Sequence, residues 1–81
     1  MSGGVLSEWG SYTFVKVVFD GSETPYWYVS DFDVDRGDRV SAPFGVGGLG
    51  KTATVVKVEH NVSGQVAPVP LKRVKKLLAK L

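Results

Sequence analysis

There is no cysteine among these 81 residues, and only one histidine and one methionine. No disulfide can form and no thiolate can hold a metal, which is compatible with a reducing compartment. A lone His60 cannot complete an imidazole metal site. Long apolar runs are also missing. The longest, Tyr26–Val29, falls far short of the ~20 residues a membrane-spanning helix requires. The opening MSGGVLSEWG has neither a basic n-region nor a long apolar h-region, so no secretory signal is expected and a cytoplasmic location is. Nowhere does a nucleophile stand beside an obvious base in sequence. Catalysis is therefore not expected, and neither is a metal or cofactor.

Acidic residues are absent from the C-terminal end. The last ten residues hold Lys72, Arg73, Lys75, Lys76 and Lys80 and no carboxylate side chain, whereas residues 1–71 carry five basic residues against eight acidic ones. The net charge of +2 thus conceals a positive end that attracts phosphates or an acidic partner.

The remainder reads as one small, mainly β domain over residues 12–81, preceded by a loose lead over 1–11. Tyr12–Phe19 is dense in β-branched and aromatic residues, with Val15, Val17 and Phe19 on one face and Phe14, Lys16 and Val18 on the other. The turn residues Asp20–Pro25 lead to a second strand, Tyr26–Ser30, in which Trp27 points opposite to Tyr26 and Tyr28. Asp31–Asp38 is a polar loop anchored by Phe32 and Val34. Arg39–Phe44 forms a third strand, with Val40, Ala42 and Phe44 on one face and Pro43 marking an edge or bulge. Thr52–Glu59 forms a fourth, His60–Gly64 a turn, and Val66–Val69 a short fifth strand. In Leu71–Leu81, Leu71, Val74, Leu78 and Leu81 recur at helical spacing behind Pro70, which predicts a C-terminal amphipathic helix. The expected architecture is a small antiparallel β-barrel of four to five strands capped by that helix.

Three motifs need weighing. Gly45–Thr52, GVGGLGKT, satisfies the phosphate-loop pattern G-x-x-x-x-G-K-[ST]. That motif requires a helix beginning at Gly-Lys, but Thr52, Thr54, Val55, Val56 and Val58 favour extended chain. Only 29 residues follow Thr52, too few for the remaining nucleotide-binding units. The segment reads as a glycine-rich hairpin connection whose Lys51 is free to meet a phosphate. Asp31, Asp33 and Asp35 alternate like the start of a calcium loop, but its sixth and twelfth positions here hold Arg36 and Ala42. Asn61-Val62-Ser63 is a formal glycosylation acceptor that reads as a turn.

The aromatic run Tyr26-Trp27-Tyr28 is the remaining candidate. At least one ring should lie near the surface, and a ring beside basic side chains is a means of holding single-stranded nucleic acid. The candidate interface is Tyr26, Trp27, Gly45, Lys51, Lys72, Arg73, Lys75 and Lys76. The alternative is a protein–protein adaptor that docks an acidic partner or pairs through a strand edge.

Three stretches carry a family resemblance: Tyr26–Val29 (YWYV), residues 37–45 (GDRVSAPFG) and residues 54–58 (TVVKV), followed by Pro70-Leu71-Lys72. Across about residues 12–80 the chain resembles the N-terminal DNA-binding domain of the bacterial primosomal protein N′, the replication-restart helicase. The resemblance implies a stand-alone small barrel, bacterial or phage-borne, that acts on forked or single-stranded DNA. In that family a terminal base sits among an aromatic ring, an Asp, a glycine and a lysine. Tyr26, Gly45 and Lys72 match the ring, the glycine and the lysine. Trp27 stands at the Asp position, so the acceptor for a 3′ hydroxyl is missing.

Overall fold

Strands form where β-branched and aromatic residues are densest, and their alternation decides which way the sheet curls. A computed structural model describes residues 9–45, 47–70 and 73–81. It shows a curled, six-stranded half-barrel in the order β5-β2-β1-β4-β3-β6. The strands are β1 (Ser11–Phe19), β2 (Pro25–Ser30), β3 (Arg39–Phe44), β4 (Leu49–Ser63), β5 (Lys75–Lys76) and β6 (Ala79–Lys80). β1 pairs antiparallel with β2 and β4, and β4 pairs antiparallel with β3. Among the described residues no helix is long and apolar enough to cross a membrane.

The core lies inside the curl. Val15, Val17 and Phe19 from β1, Tyr28 from β2, Val40 and Ala42 from β3, and Ala53 and Val55 from β4 meet there. Val34 from the 31–38 loop joins them, and Phe32 packs at the margin, as the loop anchors the sequence predicts. On the outer face Phe14 is also buried, with its ring edge-on to Tyr12 and Trp27.

β4 is longer than its sequence predicts. It runs through His60–Ser63, where a turn is expected. Two irregularities let it do so. Strict alternation from Ala53 and Val55 would turn the charged Lys57 inward. A register shift between the Lys16–Lys57 and Val17–Val55 pairs inserts one residue, so Val58 faces the core and Lys57 meets Glu59 outside at 3.1 Å. The second shift lies between the Tyr12–Val62 and Phe14–Glu59 pairs, beside Asn61, whose φ of 55° an Asn tolerates better than most residues. The expected strand at Val66–Val69 is not formed. Gly64–Val66 is a single 3-10 turn capped by the Ser63 hydroxyl, and Pro68 and Pro70 have no N–H to give a ladder.

The expected C-terminal helix is not formed either. Leu71 and Lys72 lie outside the described residues, and the chain beyond Val74 is extended in β5 and β6. β5 runs parallel to β2, while β6 runs antiparallel to β3. Between them the N–H of Leu77 donates to the Val29 carbonyl at 2.9 Å, and that of Leu78 to the Ser41 carbonyl at 2.8 Å. One short strip thus spans the gap between the two edges of the half-barrel. An isolated helix of about eleven residues is marginal in water. Two open strand edges and a buried slot for Leu77 outweigh that weak preference. Lys76–Asp31 (3.4 Å) and Lys80–Asp38 (3.3 Å) pin the strip to the 31–38 loop. Gly50 makes room for it, because a Cβ there would strike the Ser41 hydroxyl and come within 3.0 Å of Leu78.

Extended alternation makes neighbouring leucines unequal. Leu77→Ala should cost about 2–4 kcal/mol in urea denaturation, against about 1 kcal/mol or less for the half-exposed Leu78→Ala. Equal losses at the two positions would contradict this arrangement.

Candidate nucleic-acid interface

At one mouth of the half-barrel four aromatic rings converge. Phe19 closes β1, Tyr26 and Tyr28 alternate inward from β2, and Phe44 ends β3. The Phe19 ring lies 5.7 Å from Tyr26, 6.2 Å from Tyr28 and 4.8 Å from Phe44, and Tyr26 meets Phe44 at 5.6 Å. These are edge-on and tilted arrangements, which aromatic quadrupoles favour. Phe19 and Tyr28 are buried, whereas Tyr26 and Phe44 each keep 37% of their surface exposed. The Tyr28 hydroxyl donates to the Pro43 carbonyl at 2.6 Å, tying β2 to β3 beneath the exposed pair.

The turn between β3 and β4 completes one wall. Phe44 pairs with Leu49, and the Gly48 N–H donates to the Gly45 carbonyl at 3.2 Å. Gly45 and Gly48 adopt φ of 79° and 64°, left-handed values that glycine reaches without steric cost. The Gly-Lys-Thr segment therefore enters a strand rather than a helix, and the backbone does not form a phosphate loop. Beside the rings lies a cleft of about 400 Å³, lined by Tyr26, Tyr28 and Phe44 together with Pro70, Arg73 and Lys75, the last paired with Tyr28 where β5 joins β2.

Of the residues the sequence nominates, Tyr26, Gly45, Arg73 and Lys75 line this cleft together. Trp27 borders it, but its ring lies on the outer face against Phe14, with the Lys16 ammonium 5.1 Å above it. Lys51 belongs to a neighbouring depression of about 300 Å³ and sits 5.0 Å over the Phe44 ring. Lys76 alternates away from Lys75 and is spent on Asp31. Lys72 lies outside the described residues. The sequence reading places Phe44 on one strand face with Val40 and Ala42 and does not nominate it as a site residue. Its position at a strand end, between Pro43 and the turn glycine Gly45, was the available signal.

The described lining of the cleft carries two basic residues, Arg73 and Lys75. None of its described lining residues is acidic, and neither Arg73 nor Lys75 has an ion-pair partner among the described residues. The acids nearest the strip pair with its other lysines, Asp31 with Lys76 and Asp38 with Lys80. The Asp38 carboxylate accepts from the Asp35 N–H at 2.8 Å and meets Lys80, and these contacts hold it below the ordinary carboxylate range. That contribution to the folded state is present at neutral pH and is lost as pH falls through the lowered value.

Burial, reinforced by Tyr26, pushes the Tyr28 phenol above its usual value of 10.0. The neutral form is the folded one, so its contribution is whole below pH 10.0 and is lost as pH rises through the raised value. Tyr28→Phe should cost about 1–2 kcal/mol at pH 7, through the unpaired Pro43 carbonyl. It should also flatten the alkaline decline in melting temperature, and an unchanged alkaline decline would contradict this assignment. Comparison with protein-family models, with curated proteins and with solved structures finds no match to the chain.

Proposed function

We propose that this protein is a non-enzymatic module that binds single-stranded or forked DNA, with a base on the Tyr26–Phe44 rings and its phosphate on Arg73 and Lys75. The observation that carries this reading is that the exposed Tyr26 ring lines one cleft with Arg73 and Lys75, two cations without an ion-pair partner among the described residues, and that the described lining has no carboxylate. Stacking a base on such a ring is worth about 1–3 kcal/mol and tolerates any sequence. The cleft volume also falls within the range that small ligands occupy. Tyr26 and Gly45, which the resemblance to the primosomal domain assigns to a base pocket, are neighbours here, and Arg73 follows the matching Lys72. With Trp27 turned outward at the family's Asp position, the reading is of strand binding without selection for a 3′ hydroxyl. The described lining of this cleft offers aromatic, apolar and cationic groups but no nucleophile beside a base, which favours binding over catalysis. A DNA ligand also fits a cytoplasmic protein.

The adaptor reading has less room. Pairing through a strand edge would compete with β5 on β2 and with β6 on β3. Docking of an acidic protein partner at Arg73 and Lys75 remains the rival outcome of the test.

Fluorescence anisotropy with a labelled oligothymidine decides between them. Binding at low salt should weaken as ionic strength rises, with a log–log slope near −0.7 per neutralised phosphate. Arg73→Glu with Lys75→Glu should abolish binding while leaving the melting temperature within a few degrees. No anisotropy change at low salt and tens of micromolar protein would overturn the proposal.

A further inference from the structure

The Tyr26–Phe44 pair borders a second hollow besides the cleft. This is the second depression, whose floor is Phe19 and whose rim carries Asp20, Ser22, Lys51 and Thr52. Tyr26 and Phe44 line both hollows, so a single aromatic ridge divides them. Each hollow has its own cation: Arg73 and Lys75 on one side, the exposed Lys51 on the other. The one acid on this rim, Asp20, is held by Arg39 at 2.7 Å, which offsets its charge. Lys51 rests over the Phe44 ring in the unliganded protein, and as an exposed, flexible side chain its ammonium can swing off that face to the phosphate of a base that takes its place there.

Building on the DNA-binding reading above, we propose that this second depression is a further nucleotide subsite. A single strand crosses the Tyr26–Phe44 ridge with one base on each side, and the smallest full ligand is a dinucleotide. The two hollows share their dividing rings and differ in their cations, which is the arrangement a repeating anionic chain with flat side groups requires. A lone nucleotide can fill only one hollow. Lys51 is then a binding residue, which accounts for the Gly-Lys-Thr segment without a phosphate loop.

Calorimetry with 5′-thymidylate, the 5′-phosphorylated thymidine dinucleotide and a thymidine decamer tests this with the intact chain. The dinucleotide should bind about tenfold or more tighter than the mononucleotide, as a second stacked base allows. Lys51→Ala should remove about that tenfold from the dinucleotide and change the mononucleotide by less than about twofold. Arg73→Ala with Lys75→Ala should weaken both. Because Lys51 is exposed, melting temperature verifies that the fold is kept. Equal weakening of mono- and dinucleotide by Lys51→Ala, or no effect at all, overturns the second subsite and leaves the first reading standing. Absence of binding by the unaltered protein to all three ligands overturns both.

Discussion

Four long strands that curl only halfway leave two rows of backbone donors and acceptors, on β2 and on β3, that must find partners or water. The C-terminal strip supplies partners to both. Its amides reach Val29 on one edge and Ser41 on the other, from adjacent residues. Leu77 fills the slot between them and brings the last large side chain into the core. The 31–38 loop is held to the same strip by two ion pairs, each exposed and individually weak. Lys75 belongs to this strip and Arg73 shortly precedes it, so the geometry of the candidate site follows from how the edges are satisfied.

The second organising device is the pair of irregularities in β4. A strand of 15 residues with strict alternation could not cover a curled core without turning a charge inward. By inserting residues beside Lys57 and Asn61 the strand changes face twice. Its first part, from Leu49, pairs with β3 and sets Lys51 and Thr52 at the mouth. Its last part pairs with the start of β1. One strand therefore serves two regions of the sheet, and the extra twist that accompanies bulges suits the curl.

What the sequence disclosed, and what it hid, separates along physical lines. β1, β2 and β3 were legible because dense β-branched and aromatic residues with period two have no competing reading. Rejection of the phosphate loop rested on the same principle, applied to Thr52–Val58. The C-terminal segment was misread because Val74, Leu78 and Leu81 sit at helical spacing, while the force that extends them comes from strand edges far away in sequence. His60–Ser63 was misread because Asn61 adopts a turn-like conformation inside a strand that continues past it. Of the site, Tyr26, Gly45, Arg73 and Lys75 could be nominated by residue type. That Lys75 and Lys76 point to different neighbours depends on a strand period that a helical reading cannot supply.

Closure of the sheet and the cationic wall of the cleft share one stretch of chain. Any ligand held by Arg73 and Lys75 therefore also holds the strip in place, and by thermodynamic reciprocity a firmly docked strip raises affinity for that ligand. For such a ligand, occupancy and local melting at the carboxyl end would be two readings of one equilibrium.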